Sequence, residues 1–212
     1  MTLRQTRRFS GLLAAATTLL GLAFVGLTAN PATLLSSAFV PATTETPVVL
    51  PATLAIDRLP APGPAVIDGE TLWLARCIYS ETKRPDEQEL VAWVLRNRVE
   101  TGYRGSSTYE TVVNDPYQFS AFNVNSGVRS RYTSLDATSG NEGFQKALAI
   151  AHFVRHAPVA MRPFEGTTRH FYSEQSMTGG RTPAWAVGKD AVAPTREFTL
   201  EARRFRFYAG LV

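Results

Sequence analysis

The chain has 212 residues, a formal net charge of +4 and a single cysteine, enough for one domain with a sizeable core but not for an internal disulfide. Beyond Asn30 the balance is 19 Lys and Arg against 18 Asp and Glu, so basic attraction to nucleic acid is not a property of the folded part.

Arg4, Arg7 and Arg8 precede an uncharged stretch from Gly11 to Leu27 that is mostly Leu, Ala, Gly and Thr. A basic start followed by an apolar run has the form of a secretory signal. Residues 1–29 are therefore expected to export the chain, either cleaved after Ala29 or kept as a membrane anchor. The remainder then works in the periplasm or cell envelope. From 30 to 67, prolines at 31, 41, 47, 51, 60, 62 and 64 exclude a long helix and predict an extended Pro/Ala/Thr-rich tether. Residues 68–212 have the size of one domain.

Within that domain, Leu74, Cys77 and Ile78 recur at helical spacing and predict a helix over 70–82. Glu81 follows them by seven, four and three residues and completes the same stripe. A carboxylate on a buried stripe loses hydration, its pKa rises, and it keeps a proton near neutrality that it can donate to a leaving oxygen. The competing reading is that the helix frays near Ser80 and Glu81 caps the next segment. Cys77, on the stripe, reads as a small buried hydrophobe rather than a nucleophile, which would need a nearby base and partial exposure.

Pro85-Asp86-Glu87-Gln88-Glu89 reads as the start of a second helix with Asp86 as N-cap. It is expected to run to about Thr101, burying Leu90, Val91, Val94 and Leu95, with Gly102 ending it. Asn97 and Arg98 fall on its buried side. Asn97 either closes a hydrogen-bond gap between helices or orients Glu81 or a substrate group, and Arg98 is expected to snorkel to the surface. A short helix near Tyr109 to Val113 comes next, then a turn at Asp115-Pro116 carrying Tyr117-Gln118-Phe119-Ser120, then a Ser-, Asn- and Gly-rich loop from about Asn123 to Gly140. Asn141 caps a helix from Glu142 to His156.

Beyond Pro163 the pattern changes to short alternating segments. Arg169 to Ser173 reads as a strand, Gly179-Gly180 as a turn, and Glu197 to Tyr208 as one or two strands. The expected class is α+β, with a helical first half and a small antiparallel sheet toward the C-terminus. If exposed, Tyr172 and Trp185, with Gln118 and Ser120, would supply aromatic faces and polar edges of the kind that suit sugar rings; the competing reading is that these aromatics plug the core.

His152 and His156 lie four apart on a helix, with His170 as a conceivable third zinc ligand. The zinc-protease pattern places Glu directly after the first His, where this chain has Phe153. There is no Gly-x-Ser-x-Gly elbow and no phosphate-cradling glycine loop. No metal and no cofactor are expected.

The stretch Leu74-Ala75-Arg76-Cys77-Ile78-Tyr79-Ser80-Glu81, followed by Val91-Ala92-Trp93-Val94-Leu95-Arg96-Asn97-Arg98-Val99 and then Gln118-Phe119-Ser120, resembles the bacterial cell-wall hydrolase family that includes the spore-cortex-lytic enzyme SleB. That family's pattern is aliphatic-Tyr-small-Glu, a helix ending Asn-Arg-Val, then Gln-Phe-Ser. Trp185 and the segment Phe205 to Tyr208 echo its ending. Thr82-Lys83-Arg84-Pro85 departs from the Ala-Arg-Gly-Glu that usually comes after the family's glutamate. The resemblance implies a lysozyme-like domain acting on peptidoglycan glycan strands, with Glu81 matching the catalytic glutamate.

It further implies lytic transglycosylase chemistry at the bond between N-acetylmuramic acid and N-acetylglucosamine, with Gln118, Ser120 and Tyr172 holding N-acetyl or hydroxyl groups. The alternatives are a two-carboxylate muramidase, with Asp115, Glu165 or Glu174 as the second acid, a non-catalytic wall-binding or scaffold module, and an enzyme on another N-acetylated polysaccharide such as chitin.

Overall fold

The computed structural model describes residues 56–201 and 203–211. The expected signal or anchor, and the tether up to residue 55, lie outside the described residues. Helix α1, Gly69–Glu81, starts where the Asp68 side chain accepts from the Thr71 N–H at 2.8 Å, filling one of the unpaired donors of a helix start. Its apolar stripe of Leu74, Cys77 and Ile78 is sealed from solvent. The helix ends at Thr82, whose backbone is extended.

Helix α2, Pro85–Glu100, is capped differently from the expectation. Arg84 is the N-cap and Pro85 opens the first turn, where a missing N–H costs nothing. The Asp86 carboxylate is instead turned outward to accept from the Thr199 N–H at 2.6 Å. From Glu87 through Leu95 every residue is buried, so α2 is the central helix of the core and shows no single polar face. Helices α1, α3 and α5 and strand β1 pack against it. Gly102, at a φ of 59°, takes the left-handed turn that ends the helix region.

Helix α3, Tyr109–Asn114, begins with a capping box between Thr108 and Thr111. The segment read as a loop from Asn123 contains one more helical turn and a half, α4, Arg129–Thr133. Helix α5, Glu142–His156, is capped by Asn141, whose side chain accepts from the Phe144 N–H at 2.9 Å. Its buried members Phe144, Ala147, Leu148 and Ala151 face α1 and α2.

Strands β1, Thr168–Tyr172, and β2, Arg206–Ala209, form an antiparallel pair with His170 opposite Tyr208 and Tyr172 opposite Arg206. The fold is α+β, mostly helical, with this two-stranded sheet near the C-terminus. Among the described residues of 197–205, none joins the sheet. Two of their N–H groups are used elsewhere: Thr199 donates to Asp86, and Glu201 donates to the buried Glu87 carboxylate at 3.3 Å. Two side chains from the start of α2 thus take the place of a strand partner.

The tether boundary also moves. Ile56 is 2% exposed in the core, with Leu59 and Ile67 packed against it, so the described end of the tether belongs to the domain. No helix among the described residues is long and apolar enough to cross a membrane.

Candidate active site

Glu81 is the last residue of α1, and its position is dictated by the stripe beneath it. Cys77 and Ile78 anchor the final turn in the core, which carries Glu81 to the floor of a cleft of about 660 Å³. Gln118, Ser120, Tyr172 and Trp185 line the same cleft, so four of the five residues expected to bind substrate meet the glutamate there. Burial pushes the Glu81 carboxyl up to about 7, against the opposing pull of the Arg204, Arg98 and Lys83 cations. Arg204 also donates to the Glu81 carbonyl at 3.2 Å, fixing the end of the helix. Lys83 is itself lowered to about 8 by burial and by Arg131. Its ammonium sits 3.3 Å from the centre of the Tyr79 ring.

Among the described residues lining this cleft, Glu81 is the only carboxylate. None of the three alternative acids lines the cleft. Asp115 takes two bonds from the Arg104 guanidinium, at 2.6 and 3.3 Å. Glu174 bridges Arg206 at 2.6 Å and Arg203 at 3.1 Å, and it lines not this cleft but an adjoining hollow of about 370 Å³ that shares Tyr172 with it. The Glu165 carboxylate reaches only the Thr167 hydroxyl, at 3.5 Å, and lines neither hollow.

Asn97 is not a cleft residue. It is fully buried, and its amide donates to the Thr168 carbonyl at 2.8 Å and the Glu165 carbonyl at 3.0 Å. The expected substrate contact is therefore replaced by a clamp that ties α2 to the start of β1. Arg98 corrects the expectation in the opposite direction. It does not reach the surface: it is buried on the cleft wall, donates to the Arg169 carbonyl at 2.7 Å, and lies 5.4 Å from the ring centres of both Tyr103 and Phe119. A buried guanidinium beside a single carboxyl is a group that the sequence pattern marked as incidental.

Strand β1 delivers the opposite wall. The His170 Nε2 lies 2.8 Å from the Tyr103 hydroxyl, and its ring centre is 5.4 Å from that of Trp185. Burial, with the Arg98 and Arg169 cations, lowers the imidazole to about 4, so it is neutral at neutral pH. Trp185 is 41% exposed and stands nearly perpendicular to Tyr172 and Tyr208, with centres 5.8 and 5.4 Å away. Tyr172 and Tyr208 stack across the two strands at 6.0 Å. The result is a rigid aromatic wall with an exposed indole face.

The remaining candidates lie apart from this chemistry. His152 and His156 lie side by side along α5, their ring centres 4.4 Å apart and their planes tilted by 38°, with His156 Nδ1 bonded to the His152 carbonyl. Among the described residues no group of three or more His, Cys, Asp or Glu is placed to hold a metal ion. Cys77 is sealed in the core and its thiol is pushed well up by burial, which removes the thiolate that nucleophilic chemistry needs. Tyr103 was not foreseen as a wall residue, and His170 only as part of the polar and aromatic strand His170-Phe171-Tyr172. The alternation Arg169-His170-Phe171-Tyr172 was the available signal, since every second side chain of a strand shares a face.

No protein-family model, curated protein or solved structure matches this chain.

Proposed function

We infer that the protein is a peptidoglycan-cleaving enzyme that acts through Glu81 on the bond between N-acetylmuramic acid and N-acetylglucosamine, as a lytic transglycosylase. The observation that carries this reading is one carboxyl, raised to about 7, lying without a second acid in a cleft walled by Trp185, Tyr172 and Gln118. The resemblance of the Glu81, Asn97-Arg98-Val99 and Gln118-Phe119-Ser120 segments to the cell-wall hydrolase family supports the same substrate and a lysozyme-like domain. The basic, apolar N-terminal segment supports export to the cell envelope, where that substrate lies.

In this mechanism the protonated Glu81 gives its proton to the glycosidic oxygen as the C1–O bond of the muramyl residue breaks, through an oxocarbenium-like transition state. The new carboxylate then takes the proton of the muramyl 6-hydroxyl while that oxygen closes on C1. A 1,6-anhydro ring forms, the proton is back on Glu81, and no water is consumed. Arg98 and Arg204 favour the carboxylate in the interval between the two transfers. Burial favours the acid before and after. A pKa near 7 lets one group serve in both directions. The two-carboxylate route lacks a partner among the described residues that line the cleft, and Asp115 and Glu174 are held by arginines.

The test is release of soluble fragments from purified sacculi. Wild type is expected to solubilise them, and Glu81→Gln to bind without release, with turnover lower by about 10²–10⁴-fold. Equal release by the two proteins would refute the role of Glu81. Binding without release by both would point to a scaffold module.

A further inference from the structure

A second groove, of about 600 Å³, lies between the end of α3 and the loop leading to α4. Tyr117 and Ser120 line both this groove and the Glu81 cleft, so the two hollows adjoin. Tyr117 is 89% exposed at a φ of 65°, a backbone conformation that is costly for a bulky side chain. Its N–H donates to Asn123 Oδ1 at 3.0 Å, which holds it there. The ring is therefore displayed as a ridge between two hollows rather than used to fill the core.

The chemistry of the second groove differs from that of the first. Asn114, Asn123 and Asn125 place amides along it, and its lining contains no carboxylate. Arg129 is fixed in its wall by donating to Asn114 Oδ1 at 2.7 Å and to the Phe122 carbonyl, and it pairs with no acid among the described residues. Tyr117 is the one exposed ring, so the groove lacks the aromatic platforms of the Trp185 wall.

We propose that this second groove holds the peptide substituent of the glycan, so that the enzyme favours peptide-bearing strands over bare ones. The inference rests on the peptidoglycan reading of the Glu81 cleft. A strand laid over Glu81 carries its peptide as a branch from the lactyl group of each muramyl residue, and the Tyr117 ridge separates trunk from branch. Asn114 is used at both ends, by the Glu110 carbonyl and by Arg129, and the Asn123 oxygen by Tyr117, so the Asn125 amide and the Asn123 Nδ2 are the groups that match the N–H and C=O of a peptide backbone. An unpaired guanidinium in an acid-free lining suits the carboxylates of an acidic stem.

The test uses the Glu81→Gln chain, which does not consume its ligand, and soluble glycan oligomers cut from sacculi. One set keeps its peptides; an amidase has removed them from the other. The intact set is expected to bind about tenfold more tightly. Adding Asn125→Glu, at an exposed position with no hydrogen bond to lose, places a carboxylate in the groove. It is expected to abolish most of that advantage while leaving the stripped set unchanged, and Arg129→Gln is expected to act in the same sense.

Equal binding of the two sets would overturn the proposal, even if wild type releases fragments from sacculi. Loss of affinity for both sets on Asn125→Glu, at an unchanged melting temperature, would overturn it in favour of a groove that continues the sugar chain. Binding of neither set, with no release of fragments by wild type, would instead refute the peptidoglycan reading itself.

Discussion

The Glu81 carboxyl is set by two opposed effects, and burial prevails over the three nearby cations. If chemistry begins with a proton on Glu81, kcat/KM must fall as pH rises through about 7, because the acid is lost there. Replacing Arg98 by Met removes a charge that favours the carboxylate, so the descending limb is expected to move to higher pH. Arg98→Lys should keep it nearer the wild-type position. A pH profile unchanged by Arg98→Met would show that the cation does not act on the glutamate. Glu81 was legible in the sequence because helical spacing alone places it beside Cys77 and Ile78. Arg98 was not, because a long cation on a buried face is ordinarily free to reach water. Here the Arg169 carbonyl and the Tyr103 and Phe119 rings hold it in.

At the level of elements, the helices were largely readable and the C-terminal third was not. Asp68 and Asn141 cap α1 and α5 with their own side chains, a local signal that survives folding. Pro85 displaced the cap expected at Asp86 by supplying a pre-set φ to the first turn. The segment from Glu197 carries a strand-like pattern, yet the Thr199 and Glu201 N–H groups find carboxylates of α2 that lie more than a hundred residues away in sequence. No periodicity can report such a partner. Asn97 shows the same limit, since its polar position is evident but its acceptors belong to the start of β1. Asn97→Ala removes both bonds, leaving the Glu165 carbonyl with its bond from the Thr168 N–H, and is expected to cost about 1–3 kcal/mol in urea denaturation. Because Asn97 does not line the cleft, the proposed activity of the folded chain should keep its KM nearly unchanged. A large rise in KM at unchanged stability would restore the substrate-binding role.

For the whole molecule, a helical core around α2 presents the end of α1, and the β1–β2 pair supplies the wall that faces it. That division explains why one α1 residue and residues from several separate later segments meet in one cleft. The core also extends further toward the N-terminus than composition suggested. A Pro-rich stretch reads as tether because it cannot form a long helix, but a single apolar side chain can still be buried from it. Ile56→Ala is expected to lower stability by about 2–4 kcal/mol. Lack of effect in a urea titration would return residues 56–67 to the tether. The central claim is that one glutamate both gives and takes back the proton. It is tested most directly by mass spectrometry of the soluble products when the wild-type chain digests intact peptidoglycan, with Glu81→Gln alongside. The account predicts 1,6-anhydromuramyl ends from wild type alone. Ordinary reducing ends from wild type would contradict it, because they require water as the acceptor.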